Sequence, residues 1–166
     1  MQLTHYTSNF KKQKFPIILV SDNVTNAPNI GSLFRISDAF GIEKLILCGE
    51  HIPLGRKMTK TSRATEKAVS YQIETSAFTV AKTLKENGYQ IIALEITSNS
   101  IPVNEHIFSK EKPIAVFVGD ENFGVSEDIL QLSHQIVHIN MFGQNSSMNV
   151  VQATNIALYE ITKQFI

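Results

Sequence analysis

Three short polar stretches carry residues whose types and spacing suit chemistry. The first leads from Asp22 to Arg35 and holds Asn29, Gly31 and Arg35. Gly31 and Arg35 are four apart and share a helix face, so a missing side chain at Gly31 clears space beside the guanidinium. Such a guanidinium can grip phosphate or stabilise a developing negative oxygen. A plainer reading of the same stretch is also open, with Asn29, after Pro28, as the N-cap and Arg35 paired to Asp38. The second stretch is Gly119-Asp120-Glu121-Asn122-Phe123-Gly124-Val125-Ser126. Its two glycines permit close backbone approach or positive φ. A strand-to-helix turn accounts for the glycines but not for the carboxylate of Glu121 between them. The third stretch, Phe142 to Val150, is rich in amides and serines and includes Ser147 and Asn149. The first turn of a helix there offers unpaired N–H groups to a polar ligand. Ser146 or Ser147 as a simple N-cap is the alternative. Neither His134 nor His138 has a spacing that would activate a serine, so triad chemistry is unsupported.

Each stretch follows an apolar run. Segments 15–20, 44–48, 91–96, 114–118 and 136–141 read as strands, and most are continuously apolar, as strands covered on both faces are. A further short strand is expected within 68–73. Helices are expected over 30–40, 77–87, 126–132 and from 147 to about 164. The last has a stripe of Val150, Thr154, Ala157, Leu158, Ile161 and Phe165 at helical spacing. Asn87-Gly88 supplies a C-terminal stop for the second helix. Alternating strands and helices imply an α/β domain with a mostly parallel sheet and helices on both faces. Ligands of such sheets bind beyond the C-terminal strand ends, where the three polar stretches lie.

The chain is 166 residues long, which is expected to form one domain over 1–166. With 43% apolar and 18% charged residues it has the composition of a folded globular protein rather than a disordered one. No apolar run reaches the length of a membrane span, and the polar, lysine-bearing stretch from Met1 to Phe15 does not read as a secretory signal. Cys48 is the only cysteine, so neither a disulfide framework nor a cysteine metal site is expected. Its place in an apolar run predicts a buried thiol in a cytoplasmic protein. The formal net charge is zero, which counts mildly against a nucleic-acid partner, but the charges are unevenly placed. Lys11, Lys12 and Lys14 cluster before the first strand, and Arg56, Lys57, Lys60, Arg63 and Lys67 crowd one central segment.

Together the three stretches resemble a known family. Asn29-x-Gly31-x-x-x-Arg35, Gly119-x-Glu121-x-x-Gly124, and Ile139-x-Met141 followed by Ser147-Met148-Asn149-Val150 are similar to the three signature motifs of SpoU/TrmH-type RNA methyltransferases. The order and separation match from about Pro16 to Ile161. Departures are Asn140 in place of a proline, Met148 in place of a leucine, and Val151 in place of a serine.

The resemblance implies a SPOUT fold whose C-terminal segment forms a deep trefoil knot, and a homodimer with its active site between subunits. It implies transfer of a methyl group from S-adenosylmethionine to a ribose 2′-hydroxyl of RNA, without a metal. It places the cofactor on Leu94, Gly119, Ile139 and Met148, and the reaction on Asn29, Arg35, Glu121, Ser147 and Asn149. Arg56, Lys57, Lys60 and Arg63 are the candidates for gripping RNA, with tRNA favoured over ribosomal RNA. A knotted RNA-binding protein without catalysis is a second reading, opposed by the presence of Arg35, Glu121, Ser147 and Asn149. A nucleotide-binding α/β domain is a third; it predicts a glycine-rich loop after the first strand, where residues 23–32 hold one glycine.

Overall fold

The computed structural model describes residues 2–3 and 7–166. The reading of the N-terminal stretch therefore lies partly outside the described residues. Seven strands form one sheet: β1 (Phe15–Asp22), β2 (Ile42–Cys48), β3 (Tyr71–Glu74), β4 (Gln90–Leu94), β5 (Ile101–Pro102), β6 (Ile114–Gly119) and β7 (Gln135–His138). Among the described residues five α-helices and a short 3-10 turn (Thr65–Lys67) accompany them: α1 (Ala27–Ala39), α2 (Arg56–Ser62), α3 (Ala77–Glu86), α4 (Glu127–Leu132) and α5 (Val150–Lys163). The strand order is β3-β2-β1-β6-β4-β7-β5, and every pairing is parallel.

The apolar runs explain this arrangement, because alternate residues of each central strand enter opposite cores. Ile17, Leu19, Leu45, Leu47, Ile92, Val116 and Val118 meet Ile30, Leu33 and Phe34 of α1, Met58 of α2 and Leu158 and Ile161 of α5. Their neighbours Ile18, Val20, Ile46, Ala93, Ala115 and Phe117 meet Val80, Ala81 and Leu84 of α3 and Ile129 of α4. Burial on both faces is what suppresses polar alternation along the strands. Among the described residues, no helix is long and apolar enough to cross a membrane. The Cys48 thiol is buried, and burial, with the Asp22 and Glu74 carboxylates nearby, pushes its pKa up to about 12. Such a thiol is inert at neutral pH.

Several expected boundaries shift. β4 ends at Leu94 and β7 at His138, so residues 139–149 are irregular and α5 begins only at Val150. Asn149 is its N-cap, with Oδ1 accepting from Val151 N at 2.9 Å, in place of Ser146 or Ser147. The extra strand falls at Tyr71–Glu74 rather than earlier. α2 and the two-residue β5 were not expected. α2 lacks an apolar stripe, since Met58 and Ser62 are its only buried residues.

α2 also corrects the role of Gly31. A Cβ at Gly31 would clash with Thr61 Oγ1 and the Met58 carbonyl. The glycine lets α1 and α2 touch; it does not make room for the Arg35 guanidinium. Gly31→Ala should therefore lower stability by about 2 kcal/mol, seen as a lower urea midpoint at unchanged slope.

Candidate active site

A cavity of about 670 Å³ opens where β4, β6 and β7 end. Leu94, Gly119, Ile139 and Met148, the four residues expected to hold the cofactor, all line it, as do Glu121 and Ser147. The wall is apolar where Leu94, Leu130, Ile139 and Met148 meet it. Among the described residues its charged side chains are Glu95, Asp120, Glu121 and Glu127, with no lysine or arginine. That distribution disfavours a phosphate and favours a ligand with positive charge and an apolar ring.

At its rim, the three polar stretches meet through side-chain amides. Asn26 caps α1 by accepting from Asn29 N at 3.1 Å, so Asn29 lies inside the first turn and is not the cap. Its amide is thereby free, and Asn29 Nδ2 donates to Glu121 Oε1 at 2.9 Å. Asn149 Nδ2 donates to the same oxygen at 2.6 Å and approaches Asn29 Oδ1 at 3.3 Å. Ser147 is exposed and turns toward its own loop, its N and Oγ donating to Asn145 Oδ1 at 3.2 and 3.3 Å.

Arg35 stands apart from this cluster. It lies six residues beyond Asn29, roughly 9 Å along the axis of α1. It is exposed, and among the described residues it forms no ion pair with Asp38 or any other carboxylate. One turn on from Gly31, its base lies on the flank of α1 that meets α2.

The loop between β6 and α4 is held by carboxylates from neighbouring strands. Gly119 has no room for a Cβ because the Gly124 backbone occupies that space, and Gly124 adopts φ +67°. The glycine pair thus folds the loop back on itself, and its missing side chains make no direct opening for a ligand. Glu95 Oε2 accepts from Val125 N at 3.0 Å, and the buried Asp22 accepts from Ser126 N at 3.1 Å through Oδ2. Sequence reasoning passed over both residues. Each carries the feature that singled out Glu121, a carboxylate at or just beyond the end of a buried strand. Asn140, where the resemblance implies a proline, is tied to His138 by an Nε2···Oδ1 contact of 3.2 Å, while His138 Nδ1 meets Ser100 Oγ at 2.9 Å.

The basic residues gather on α2. Arg56, Lys57 and Lys60, with Thr59, line a shallow groove of about 590 Å³. Arg63 closes the helix in a left-handed conformation at φ 50° and is not part of the groove.

Asn149 serves both a helix cap and the rim cluster, whereas Glu121 is exposed. Asn149→Ala should therefore cost about 1 kcal/mol of stability, and Glu121→Ala under about 0.5 kcal/mol; urea unfolding of the two variants checks the order.

Comparison with known proteins gives the family. The sequence profile of the SpoU rRNA Methylase family matches residues 16–159. A tRNA (guanosine(18)-2′-O)-methyltransferase of Aquifex aeolicus is 34% identical over 157 residues, covering 93% of this chain and 72% of that protein. The 23S rRNA (guanosine-2′-O-)-methyltransferase RlmB of Blochmanniella floridana is 28% identical, covering 96% of this chain and 63% of that protein. The crystal structure of an A. aeolicus TrmH/SpoU tRNA modifying enzyme superposes with a TM-score of 0.82 at 28% identity, over 92% of this chain and 77% of that one. With its parallel sheet, its three motif loops and a profile match across most of its length, the chain belongs to the SpoU methylase family.

Proposed function

We propose that this protein transfers a methyl group from S-adenosylmethionine to a ribose 2′-hydroxyl of RNA. The observation that carries the reading is the meeting of Asn29, Glu121 and Asn149 at the rim of the cavity lined by Leu94, Gly119, Ile139 and Met148. The cavity suits the cofactor. Its apolar wall matches adenine, and its carboxylates match a sulfonium and an ammonium group, whereas an anionic nucleotide would find no cation there. The bound cofactor supplies an electrophilic methyl carbon on a positively charged sulfur.

The chain's own residues then have separate tasks. Leu94, Ile139 and Met148 exclude water around the adenine, and Gly119 offers backbone. The Asn29–Glu121–Asn149 cluster fixes the three loops relative to one another. Ser147 and Asn149 orient the ribose. Arg35 would bind a substrate phosphate and stabilise the 2′-oxygen as its proton passes to that phosphate or to water, the new oxygen–methyl bond replacing the methyl–sulfur bond of the cofactor; a guanidinium does not accept that proton near neutral pH. Arg56, Lys57 and Lys60 extend the phosphate contact along α2, with Arg63 beside them.

Arg35 is exposed and does not line the cavity of its own chain, which supports a homodimer in which it serves the cavity of a second copy. The C-terminal segment threads through a loop of the chain to form the family's trefoil knot. The 34% identity to the A. aeolicus tRNA enzyme supports tRNA as substrate.

Calorimetry should show one S-adenosylmethionine bound per chain; no binding would sink the reading. Arg35→Ala should lose at least about 100-fold in transfer while binding the cofactor normally. Mixing inactive Arg35→Ala and Glu121→Ala chains should restore activity if the site is shared between copies, and should not if each chain acts alone. Incubation with total tRNA or ribosomal RNA and labelled cofactor, followed by digestion to nucleosides, should put the label on ribose in tRNA; label on a base would refute the chemistry.

A further inference from the structure

We propose that Glu95 is the positioning residue of the cofactor wall, joining the end of β4 to the loop that carries Glu121. Glu95 directly follows Leu94, and both line the cavity. Its two oxygens have separate tasks: Oε1 accepts from Ile96 N at 2.9 Å, and Oε2 accepts from Val125 N at 3.0 Å. Val125 is buried, so its N–H depends on this carboxylate in place of water. The same oxygen occupies the space that a Cβ on Gly124 would need. Among the described residues Glu95 forms no ion pair, so its charge is committed to backbone N–H groups, the stronger class of hydrogen bond.

This contact fixes the wall's shape. β4 and β6 are paired up to Leu94 and Val118, and beyond those residues no ladder holds the two chain segments together. Glu95 spans the gap at the point where Gly119 and Gly124 fold the loop back. Without it, Gly124 and Val125, which also line the cavity, lose their tie to the end of β4, while the Asn29–Asn149 end of the site keeps its own bonds. Loss of Glu95 therefore acts on cofactor affinity before it acts on RNA or on the transfer step.

Alanine is the sharp test, because it leaves Val125 N with no acceptor. Glutamine keeps one oxygen, which can stay on the buried Val125 N while the exposed Ile96 N turns to water. Glu95→Ala should therefore remove the exchange protection of the Val125 amide, read by NMR without any ligand. It should also raise KM for S-adenosylmethionine about ten-fold, with KM for RNA and kcat each within two-fold of the parent. Gly124→Ala pushes on the same contact from the other side and should shift the same parameter. An unchanged Val125 amide, or a lost amide with unchanged cofactor KM, would overturn the proposal. So would a variant in which kcat or RNA affinity changes instead. The role rests on the cofactor reading above. If the parent binds no S-adenosylmethionine, that reading fails first, while the amide measurement still tests the Glu95 contact.

Discussion

One carboxylate oxygen, Glu121 Oε1, accepts hydrogen bonds from two amides that lie 92 and 28 residues away in sequence. Through it the first turn of α1, the loop after β6 and the cap of α5 meet at one corner. Each side chain is available only because another residue does its local work. Asn26 caps α1, which frees Asn29, and Asn149 caps α5 with its oxygen, which frees its nitrogen. A carboxylate suits the centre because it accepts several bonds and donates none.

Close backbone approach makes that corner possible. Gly119 admits the Gly124 backbone and Gly31 admits α2, so two of the motif glycines act through packing within the chain. Around them, Asp22 and Glu95 take up N–H groups that the folded-back loop would otherwise leave without partners. The strand order β1-β6-β4 puts one of these carboxylates on each side of the β6 loop. Leaving such donors buried and unpaired would cost more than the bonds themselves contribute.

A net charge of zero conceals a division of labour. Carboxylates line the cavity, while Arg56, Lys57 and Lys60 stand on α2 with Arg35 exposed on the neighbouring flank of α1. For a methyltransferase on RNA this separation has a simple rationale: the cationic cofactor and the anionic substrate need opposite fields.

The sheet and most helices were legible in the sequence because burial on both faces leaves continuous apolar runs, and because α3 and α5 carry one buried stripe each. α2 escaped notice because its contact depends on Gly31 of another helix rather than on a stripe of its own. The residue types of the site were legible too, since polar groups directly after buried strands mark the ligand end of a parallel sheet. Tertiary structure alone decided their partners. The N-cap roles passed from Asn29 to Asn26 and from the serines to Asn149, and Gly31 turned from Arg35 toward α2. Glu95 and Asp22 gained meaning only from strand order, which joins residues distant along the chain and leaves no local periodicity to read.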